Sequence, residues 1–347
     1  MCGILRSLAV LYPNFIAEDG RQPILTRSSK SLLLALSLLL AAILGCKSAV
    51  WKARVLADKQ DHPSKIISDG ASVYFVTGGT TASQNEGTNN INRISLKDGS
   101  VSVLVKGGEH LPSPTLAVDD KFLYWAEPGH IYRVPKAGGE SELIVRDAPG
   151  QPDEMSVDDE NIYWLVYGGT GSHNLPVLFA KKSGGPTQKL ATGQEGYSGL
   201  CVGRDFVYWV GATGIRKIAK SGGTEELLYR NSSKGPMSDM VQDADNLFYA
   251  QMDNHNDWVL MKIAKKGGEP AKLAPSISEV MQFVAGDKSI YYFERETSNT
   301  YLLRKISTGG GEPVTLDRGE DSWNKFLAVD NTQVYFTTIA KVLVIGK

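Results

Sequence analysis

The side chains that most often carry metal or acid–base chemistry are sparse in this chain. None of its five histidines forms the i, i+4 pair that a helix offers to a metal: His62, His110, His130, His173 and His255. The run Asp253–Asp257 is rich in oxygen donors but lacks the ligand spacing of an EF-hand loop. We therefore expect solvated loops at these positions and no metal or other cofactor. A histidine-lined metal site is the alternative, because all five histidines are expected on one face of the fold.

Nucleophilic catalysis has no supporting motif. The chain lacks a Gly-x-Ser-x-Gly elbow between a strand and a helix, and Gly168–Gly171 lies between predicted strands without the helix that a phosphate cradle needs. Of the three cysteines, only Cys201 falls in the globular part, within an apolar run. A lone cysteine of this kind is more often a small buried hydrophobe than a nucleophile. We expect no disulfide framework.

The elements that position these side chains come from a sequence repeat of about 43 residues. Its clearest copies begin at Val118–Trp125 and Val157–Trp164, and they continue at Ile131–Gly139 and Leu178–Gly185. Short apolar runs separated by Asp and Gly turns at this period are typical of β-propeller blades. Each unit divides into four strands, a to d, with the aromatic run as strand b.

The number of repeat units predicts the number of blades in the ring. The strand b aromatic recurs seven times, at Tyr74, Tyr124, Tyr163, Tyr208, Phe248, Tyr291 and Tyr335. The last unit ends after strand c at Val342–Ile345, whereas Trp51–Ala57 precedes the first unit and has the character of an unpaired strand d. The sequence therefore predicts an all-β fold, a seven-bladed propeller of four-stranded antiparallel blades. Its N-terminal strand joins the C-terminal blade and closes the ring.

From about residue 50 to 347 the units resemble those of bacterial propeller lipoproteins and, more distantly, the YWTD propellers of lipoprotein receptors. The pairs Tyr124-Trp125, Tyr163-Trp164 and Tyr208-Trp209 carry this likeness. The Thr-Asp that follows in the receptors is replaced here, for example by Ala126-Glu127, so receptor ligands are not carried over. The resemblance implies the fold and export from the cytoplasm.

The N-terminal residues predict export and a membrane anchor. Residues 28–45 have the length and the apolar stretch of a signal peptide, and Arg27 and Lys30 supply the positive charge at its start. Gly45-Cys46 resembles a bacterial lipobox, although Leu44 stands where a small residue is usual. We expect lipid attachment at Cys46, a tether over 46–49 and the propeller over 50–347. Residues 1–27 have no repeat and indicate a start codon assigned too early, or else a cytoplasmic tail. A plain secreted protein and an uncleaved anchor are the alternatives to lipidation.

Charge and compartment limit the partners. The chain has 37 basic and 38 acidic residues, a formal net charge of −1, and no basic stripe of the kind that nucleic acid requires. By resemblance to bacterial sorting rules, Lys47-Ser48 after the cysteine points to the outer membrane. We expect a lipid-anchored protein of the cell envelope, whose partner is an envelope or extracellular protein or a small polar ligand. The sequence leaves the oligomeric state open.

The binding face is expected on the side of the b–c and d–a loops, because these vary in length whereas the opposite turns are uniform. The candidate ligand-binding residues precede strand a in six units: Lys65, Thr115, Glu154, Asp239, Gln282 and Lys325. Mixed polar groups at a channel mouth suit a small polar molecule or a peptide terminus. We therefore expect a non-catalytic binding or scaffold protein. The alternative is a metal-assisted hydrolase, lactonase or lyase with its site at the channel mouth.

Overall fold

The computed structural model of the chain describes residues 53–78, 89–107, 115–167, 175–194, 198–211, 213–232, 235–274, 277, 280–286, 288–320 and 325–347. Throughout these ranges the regular secondary structure is β-strand, arranged as seven four-stranded antiparallel sheets, which confirms the predicted seven-bladed propeller. The predicted leader, signal peptide, Cys46 and tether lie outside the described residues. Within the described residues there is no helix with the length and apolarity needed to cross a membrane.

Each blade consists of one strand of each type, in the order a, b, c, d. The a strands are β2 (Ser64–Ser68), β6 (Leu116–Val118), β10 (Gln151–Val157), β14 (Ser198–Val202), β18 (Met237–Gln242), β22 (Val280–Gly286) and β26 (Leu327–Val329). The b strands are β3 (Ser72–Val76), β7 (Phe122–Glu127), β11 (Asn161–Tyr167), β15 (Phe206–Gly211), β19 (Asn246–Met252), β23 (Ser289–Arg295) and β27 (Gln333–Thr337). Blades one to seven are numbered from β2 to β26 by their a strands.

The two outer strands of each blade follow in the same way. The c strands are β4 (Ile91–Ser95), β8 (Gly129–Pro135), β12 (Leu175–Lys181), β16 (Gly214–Ala219), β20 (Trp258–Ala264), β24 (Thr300–Ser307) and β28 (Val342–Gly346). The d strands are β5 (Val101–Val105), β9 (Glu142–Ala148), β13 (Gln188–Gln194), β17 (Glu226–Arg230), β21 (Ala271–Lys272), β25 (Val314–Glu320) and, for blade seven, β1 (Arg54–Ala57).

The b strands are apolar on both faces because each lies between two neighbouring blades. In blade two, Tyr124 packs in one cluster with residues of blade three, whereas the adjacent Trp125 packs in another with residues of blade one. Successive side chains of a strand point to opposite faces, so two neighbouring aromatic residues fill two different interfaces. Burial of a ring of this size contributes several kcal/mol at about 25 cal/mol per Å².

The first strand of the propeller closes the ring, as predicted. β1 pairs antiparallel with β28, with Arg54 opposite Val344 and Val55 opposite Leu343. Blade seven thus takes three strands from the C-terminal end and one from the N-terminal side of the domain. This pairing joins segments that are far apart in sequence and leaves the seventh blade with the same four strands as the others.

The turns at one face of the ring have the predicted chemistry. Asp119 ends strand a of blade two, and its Oδ1 accepts hydrogen bonds from the amides of Lys121 and Phe122, both at 2.8 Å. In the c–d hairpin of the same blade, Gly138 and Gly139 have φ of 96° and 133°. Glycine adopts this region of φ without the steric cost that a Cβ brings, so the paired glycines let the hairpin reverse tightly.

Candidate functional site

The a strands surround a cavity at the centre of the ring. The cavity has a volume of about 770 Å³ and is lined by residues of six a-strand segments, in blades one, two, three, five, six and seven. The inner strands of neighbouring blades lie directly against one another, so the wall is made of strand and not of loops. A volume of this size lies within the usual range of small-molecule sites, roughly 300–1,000 Å³.

In each blade, one residue of strand a or directly before it occupies the same register position, two residues before the partner of the strand b aromatic. We call this set the cavity ring. Its members, from blade one to blade seven, are Lys65, Thr115, Glu154, Gly199, Asp239, Gln282 and Phe326. Six of the seven line the cavity, Gly199 being the exception. The ring thus brings one ammonium, two carboxylates, one hydroxyl, one amide and one aromatic face to a common level.

Five of the six residues predicted from the sequence belong to the cavity ring, but four of them lie within the a strands and not in the loops before them: Lys65, Glu154, Asp239 and Gln282. In blade seven the ring position belongs to Phe326, one residue beyond the predicted Lys325. Lys325 is only 5% exposed, and its ammonium lies 3.4 Å from the centroid of the Tyr301 ring. It therefore packs among aromatic side chains between blades and does not line the cavity.

Two members of the cavity ring tie neighbouring blades together. The Glu154 carboxylate accepts hydrogen bonds from the amides of Gly199 and Leu200, at 2.5 and 2.6 Å. In the same way Gln282 Oε1 accepts a hydrogen bond of 2.7 Å from the amide of Leu327 in the next blade. These side chains satisfy main-chain donors on the edge of strand a that no other strand of its sheet pairs with. Their carboxylate and carbonyl oxygens are therefore committed to the scaffold.

The backbone at the cavity ring is irregular. Lys65 and Asp239 have φ of 43° and 45°, and Gly199 at the equivalent position has 82°. The register shifts within the a strands at these three positions, which marks β-bulges. A left-handed conformation costs a non-glycine residue about 1–2 kcal/mol, and bulges commonly redirect a side chain. The fold thus holds a lysine and an aspartate in an unfavourable conformation on the wall of the cavity.

Lys65 and Asp239 give the cavity wall opposite charges on different blades. Both are partly exposed, and the Lys65 ammonium lies 5.8 Å from the centroid of the Phe326 ring. Lys65 offers three donors and Asp239 offers acceptors, while Phe326 adds an apolar surface between blade one and blade six. This arrangement can orient a ligand that has both an anionic and a cationic or donor group. It contains no nucleophile paired with a base.

The histidines do not converge in the described residues. His62 Nδ1 lies 2.9 Å from Asp61 Oδ1, His130 is the second residue of β8, and His255 lies in the b–c loop of blade five. His110 and His173 lie outside the described residues. Where the structure describes the chain, no group of three or more His, Cys, Asp or Glu side chains is arranged to hold a metal ion.

The two remaining sequence candidates have local structural roles. Asp253 Oδ1 accepts hydrogen bonds from the amides of His255 and Asp257, at 2.8 and 3.1 Å, and these bonds lower the pKa of the Asp253 carboxyl. The run 253–257 is therefore a capped turn. Cys201 is buried and its Sγ contacts the carbonyl of Met240 at 3.4 Å, and burial raises the pKa of the thiol. It packs as a small apolar residue, as expected.

Sequence reasoning missed a cluster that joins the blades on the face opposite the b–c loops. Asp119 Oδ2 accepts a hydrogen bond of 2.8 Å from the Tyr124 hydroxyl, and it forms an ion pair with Lys182 Nζ of the next blade at 2.6 Å. Among the described residues the same cluster occurs twice more, as Asp69, Tyr74 and Lys136 and as Asp158, Tyr163 and Lys220. The sequence signal is an Asp-x4-Tyr spacing together with a lysine two residues before the glycine pair of the next unit. We refer to it as the Asp–Tyr–Lys cluster.

Burial and hydrogen bonds act in opposite directions on this carboxylate. Burial alone raises the pKa of Asp119, but the bonds from Lys182, from the amides of Phe122 and Lys121, and from Tyr124 outweigh it and lower the pKa to about 2. Burial and the neighbouring Asp69 raise the pKa of Tyr74 to about 12. Each tyrosine is therefore a neutral donor and each aspartate a charged acceptor across the neutral pH range.

Comparison with solved structures agrees with the propeller. The chain is similar to the β-propeller domain of the Trilobed protease from Pyrococcus furiosus, with a TM-score of 0.60 and 13% identity over 83% of this chain and 94% of that one. The AfRom2 CNH domain gives 0.57 and 10% identity over 85% and 99%. Apo AztD from Citrobacter koseri gives 0.51 and 12% identity over 80% of each chain. At these identities the likeness shows the fold alone.

Comparison by sequence adds no family. No protein-family model matches the chain, and no curated protein matches it. The evidence on function is therefore the central cavity and the residues that line it.

Proposed function

We propose that this chain is a non-catalytic binding protein that holds a small polar ligand, or the terminus of a peptide, in the central cavity of the propeller. The observation that carries this proposal is the cavity ring, in which Lys65 and Asp239 are held on the wall by strained, bulged backbone. Strain of this kind persists where the surrounding structure imposes it, and it is concentrated at ligand sites. The preferred ligand has an anionic group for Lys65 and an amino group for Asp239.

The cavity ring combines groups of different chemistry. Glu154 and Gln282 satisfy main-chain amides of the next blade, so they stiffen the wall. We propose that the charges of Lys65 and Asp239 and the apolar ring of Phe326 distinguish one ligand from another. A ligand that meets both charges gains two charge-assisted hydrogen bonds, which are about twice as strong as neutral ones.

Binding is tested directly with the detergent-solubilised full-length chain. We expect isothermal titration with a panel of amino acids and dipeptides to detect saturable binding, and amine-only or carboxylate-only analogues to bind at least tenfold more weakly. Lys65→Met and Asp239→Asn should each weaken the best ligand by about tenfold or more, the loss of one charged hydrogen bond of about 1.5–3 kcal/mol. Lys121→Met and Asp120→Asn are the matched controls, because these exposed residues lie at the a–b turn.

Two results would contradict this assignment. One is the absence of binding across the panel, and the other is an affinity that the two cavity variants leave unchanged relative to the two controls. Elemental analysis of the same preparation tests the hydrolase alternative, and we expect no stoichiometric metal. A tightly held ion at about one per chain would favour the enzyme.

The proposed location is the cell envelope, with lipid on Cys46 anchoring the chain to the membrane. This part of the proposal is supported by the apolar segment before Gly45-Cys46 and by the resemblance to a lipobox. We expect the wild-type chain to partition with membranes and a Cys46→Ser variant to shift to the soluble fraction. A serine variant that stays entirely with the membrane would count against lipidation, and it would leave the cavity assignment untouched.

A further inference from the structure

The central cavity has two levels of different chemistry. The cavity ring forms the upper level, near the start of the a strands, and it carries the charged groups. The residue that pairs with the strand b aromatic comes two positions further along strand a, which places it up to about 7 Å deeper at roughly 3.3 Å per residue. We call the cavity-lining residues at this position the lower level: Ile67, Ser156, Val241, Val284 and Ala328.

The lower level is apolar along one side of the cavity. Ile67, Val241 and Val284 pack against buried clusters between the blades and remain partly exposed where they line the cavity. The next position of strand a adds Ala285 and Val329 to the same wall. Blades five, six, seven and one therefore each present an aliphatic side chain below the cavity ring.

The polar side chains at this depth bond to the main chain or lie elsewhere on the wall. Ser68 Oγ donates a hydrogen bond of 3.2 Å to the Ser72 carbonyl, and Gln242 Nε2 donates one of 2.8 Å to the Val202 carbonyl of the neighbouring blade. Ser156 belongs to blade three, on another part of the wall. These bonds hold the donors of Ser68 and Gln242 in the scaffold.

The charges of the cavity ring stand above the two ends of this aliphatic wall. The a strands of blades five, six, seven and one contact one another in turn, so these blades form one continuous side of the cavity. Asp239 lies on the first of them and Lys65 on the last, with Gln282 and Phe326 between them. A ligand that meets both charges therefore has its middle part directly above the aliphatic side chains.

We propose that the ligand of this cavity is an amino acid or a short peptide with an aliphatic side chain, which enters the lower level while the charged groups stay at the cavity ring. This inference rests on the proposed function, because Lys65 and Asp239 hold the charged ends of the same ligand. Water gains few hydrogen bonds at an aliphatic wall, so its replacement by an aliphatic group is favourable. Each buried methylene strengthens binding roughly fourfold, or about 0.8 kcal/mol.

A series of side-chain lengths measures this effect. Isothermal titration of the detergent-solubilised full-length chain compares glycine, alanine, norvaline and norleucine, and the glycyl dipeptides that end in the same four residues. The charges stay constant within each series while the side chain grows. We expect the norvaline compound of the series that binds to be at least tenfold tighter than the glycine compound. The heat-capacity change of binding should become more negative as the side chain lengthens.

A larger residue in the wall tests where the side chain lies. Ala285→Leu fills part of the lower level, so it should weaken the norleucine compound at least tenfold and the glycine compound less than twofold. Ala137→Leu is the matched control, because Ala137 is exposed in the c–d hairpin of blade two. This control should leave the whole series unchanged. Circular dichroism confirms that both variants fold.

A second variant keeps the size of the wall residue and changes its polarity. Val284→Thr replaces one methyl group by a hydroxyl, so it should reduce the ratio of norvaline to glycine affinity at least threefold. Val101→Thr on β5, where Val101 is 44% exposed, is the matched control and should not change this ratio. The pair remains decisive if the larger leucine at position 285 prevents folding.

The outcomes separate this inference from the function on which it rests. Equal affinities for the glycine and norvaline compounds would overturn the aliphatic assignment and leave binding at the cavity ring intact. A side-chain preference that Val284→Thr and a folded Ala285→Leu both leave unchanged would also overturn it, because the side chain would then lie outside the lower level. Absence of binding throughout both series would contradict the proposed function itself.

Discussion

Replacement of Asp119 by asparagine removes one charge from an inter-blade cluster and keeps the shape of the side chain. Asparagine can still accept the two amide hydrogen bonds of the a–b turn through its carbonyl oxygen. It cannot form the ion pair with Lys182, and its amide group presents donors to a lysine and a tyrosine that are both donors. The variant therefore isolates the part of the cluster that joins blade two to blade three.

The pKa of the carboxyl gives the size of the effect. The folded protein lowers the pKa of Asp119 from 3.8 to about 2, and the side chains of Lys182 and Asp119 are only 16% and 18% exposed. One pKa unit corresponds to 1.36 kcal/mol, so ionised Asp119 stabilises the fold by about 2 kcal/mol at neutral pH. Solvent screening is modest at this exposure, and asparagine should lose most of that amount.

The same pKa fixes the dependence on pH. A carboxyl whose pKa is lowered in the folded state contributes its full stability above its unfolded pKa and loses it as the pH falls through the folded pKa. The difference between wild type and Asp119→Asn should therefore be complete above about pH 5, fall to about half at pH 3 and approach zero near pH 2.

Urea unfolding followed by tryptophan fluorescence measures this difference. With an m value of about 3 kcal/mol per M for a domain of this size, the loss of about 2 kcal/mol lowers the midpoint by about 0.7 M at pH 7. Asp120→Asn is the control, because it removes the same charge from the adjacent exposed residue and should change stability by less than about 0.5 kcal/mol. Equal midpoints for the two variants, or a difference that persists unchanged at pH 2, would refute the reasoning.

Two further predictions concern the inner wall and the evenness of the ring. A Cβ on Gly199 would lie 2.5 Å from the Met240 amide nitrogen at a φ of 82°, so Gly199→Ala should destabilise the fold by more than about 3 kcal/mol in the same urea assay. Gly222→Ala, at a φ of 84° with open space around it, should cost only about 1 kcal/mol. Hydrogen exchange read by mass spectrometry should show slower exchange at the a–b turns of blades one to three, which carry the cluster aspartate, than at those of blades four and six, where Gly203 and Gly286 replace it, and uniform protection of these turns would contradict this.

The blade count and the ring closure could be predicted because they depend on patterns that repeat within each unit. Seven aromatic residues in strand b mark seven blades, and each of them is buried. The unpaired strand at each end of the domain required a partner, and β1 with β28 was the pairing that satisfied both. Local pattern and long-range topology therefore give the same answer for this part of the molecule.

The cavity ring was predictable only in part. The candidates were expected in the d–a loops just before strand a, whereas Lys65 and Asp239 lie inside β2 and β18 on the cavity wall, and Lys325 lies one residue short of the wall position in blade seven. β26 begins at Leu327, so the wall residue is Phe326, and a shift of one residue in a strand turns a side chain to the other face. The bulges that set this register leave no mark in the sequence beyond Gly199, where only glycine fits.

The inter-blade bonds could not be found from one unit, because each joins residues of two neighbouring blades. Lys182 reaches Asp119 across 63 positions of sequence. The aspartate and the lysine each have an ordinary local explanation, as a turn cap and a solvated charge, and only the packing of one blade on the next brings them together. The repeat pattern therefore predicts the strands of each blade better than it predicts the contacts between neighbouring blades.

The distribution of these clusters divides the ring into two unequal parts. Three successive interfaces, from blade one to blade four, carry the complete Asp–Tyr–Lys cluster. Further round, Gly203 and Gly286 take the aspartate position, and Lys265 donates instead to the carbonyls of its own blade at Asp243 and Ala244.

The cavity ring does not follow this division, because it bonds neighbouring blades on both sides of it. Glu154 of blade three accepts hydrogen bonds from the amides of Gly199 and Leu200 in blade four, and Gln282 of blade six accepts one from the amide of Leu327 in blade seven. The Asp–Tyr–Lys clusters therefore join blades one to four at the face of the a–b turns, whereas the cavity wall is held by side chains of the a strands themselves.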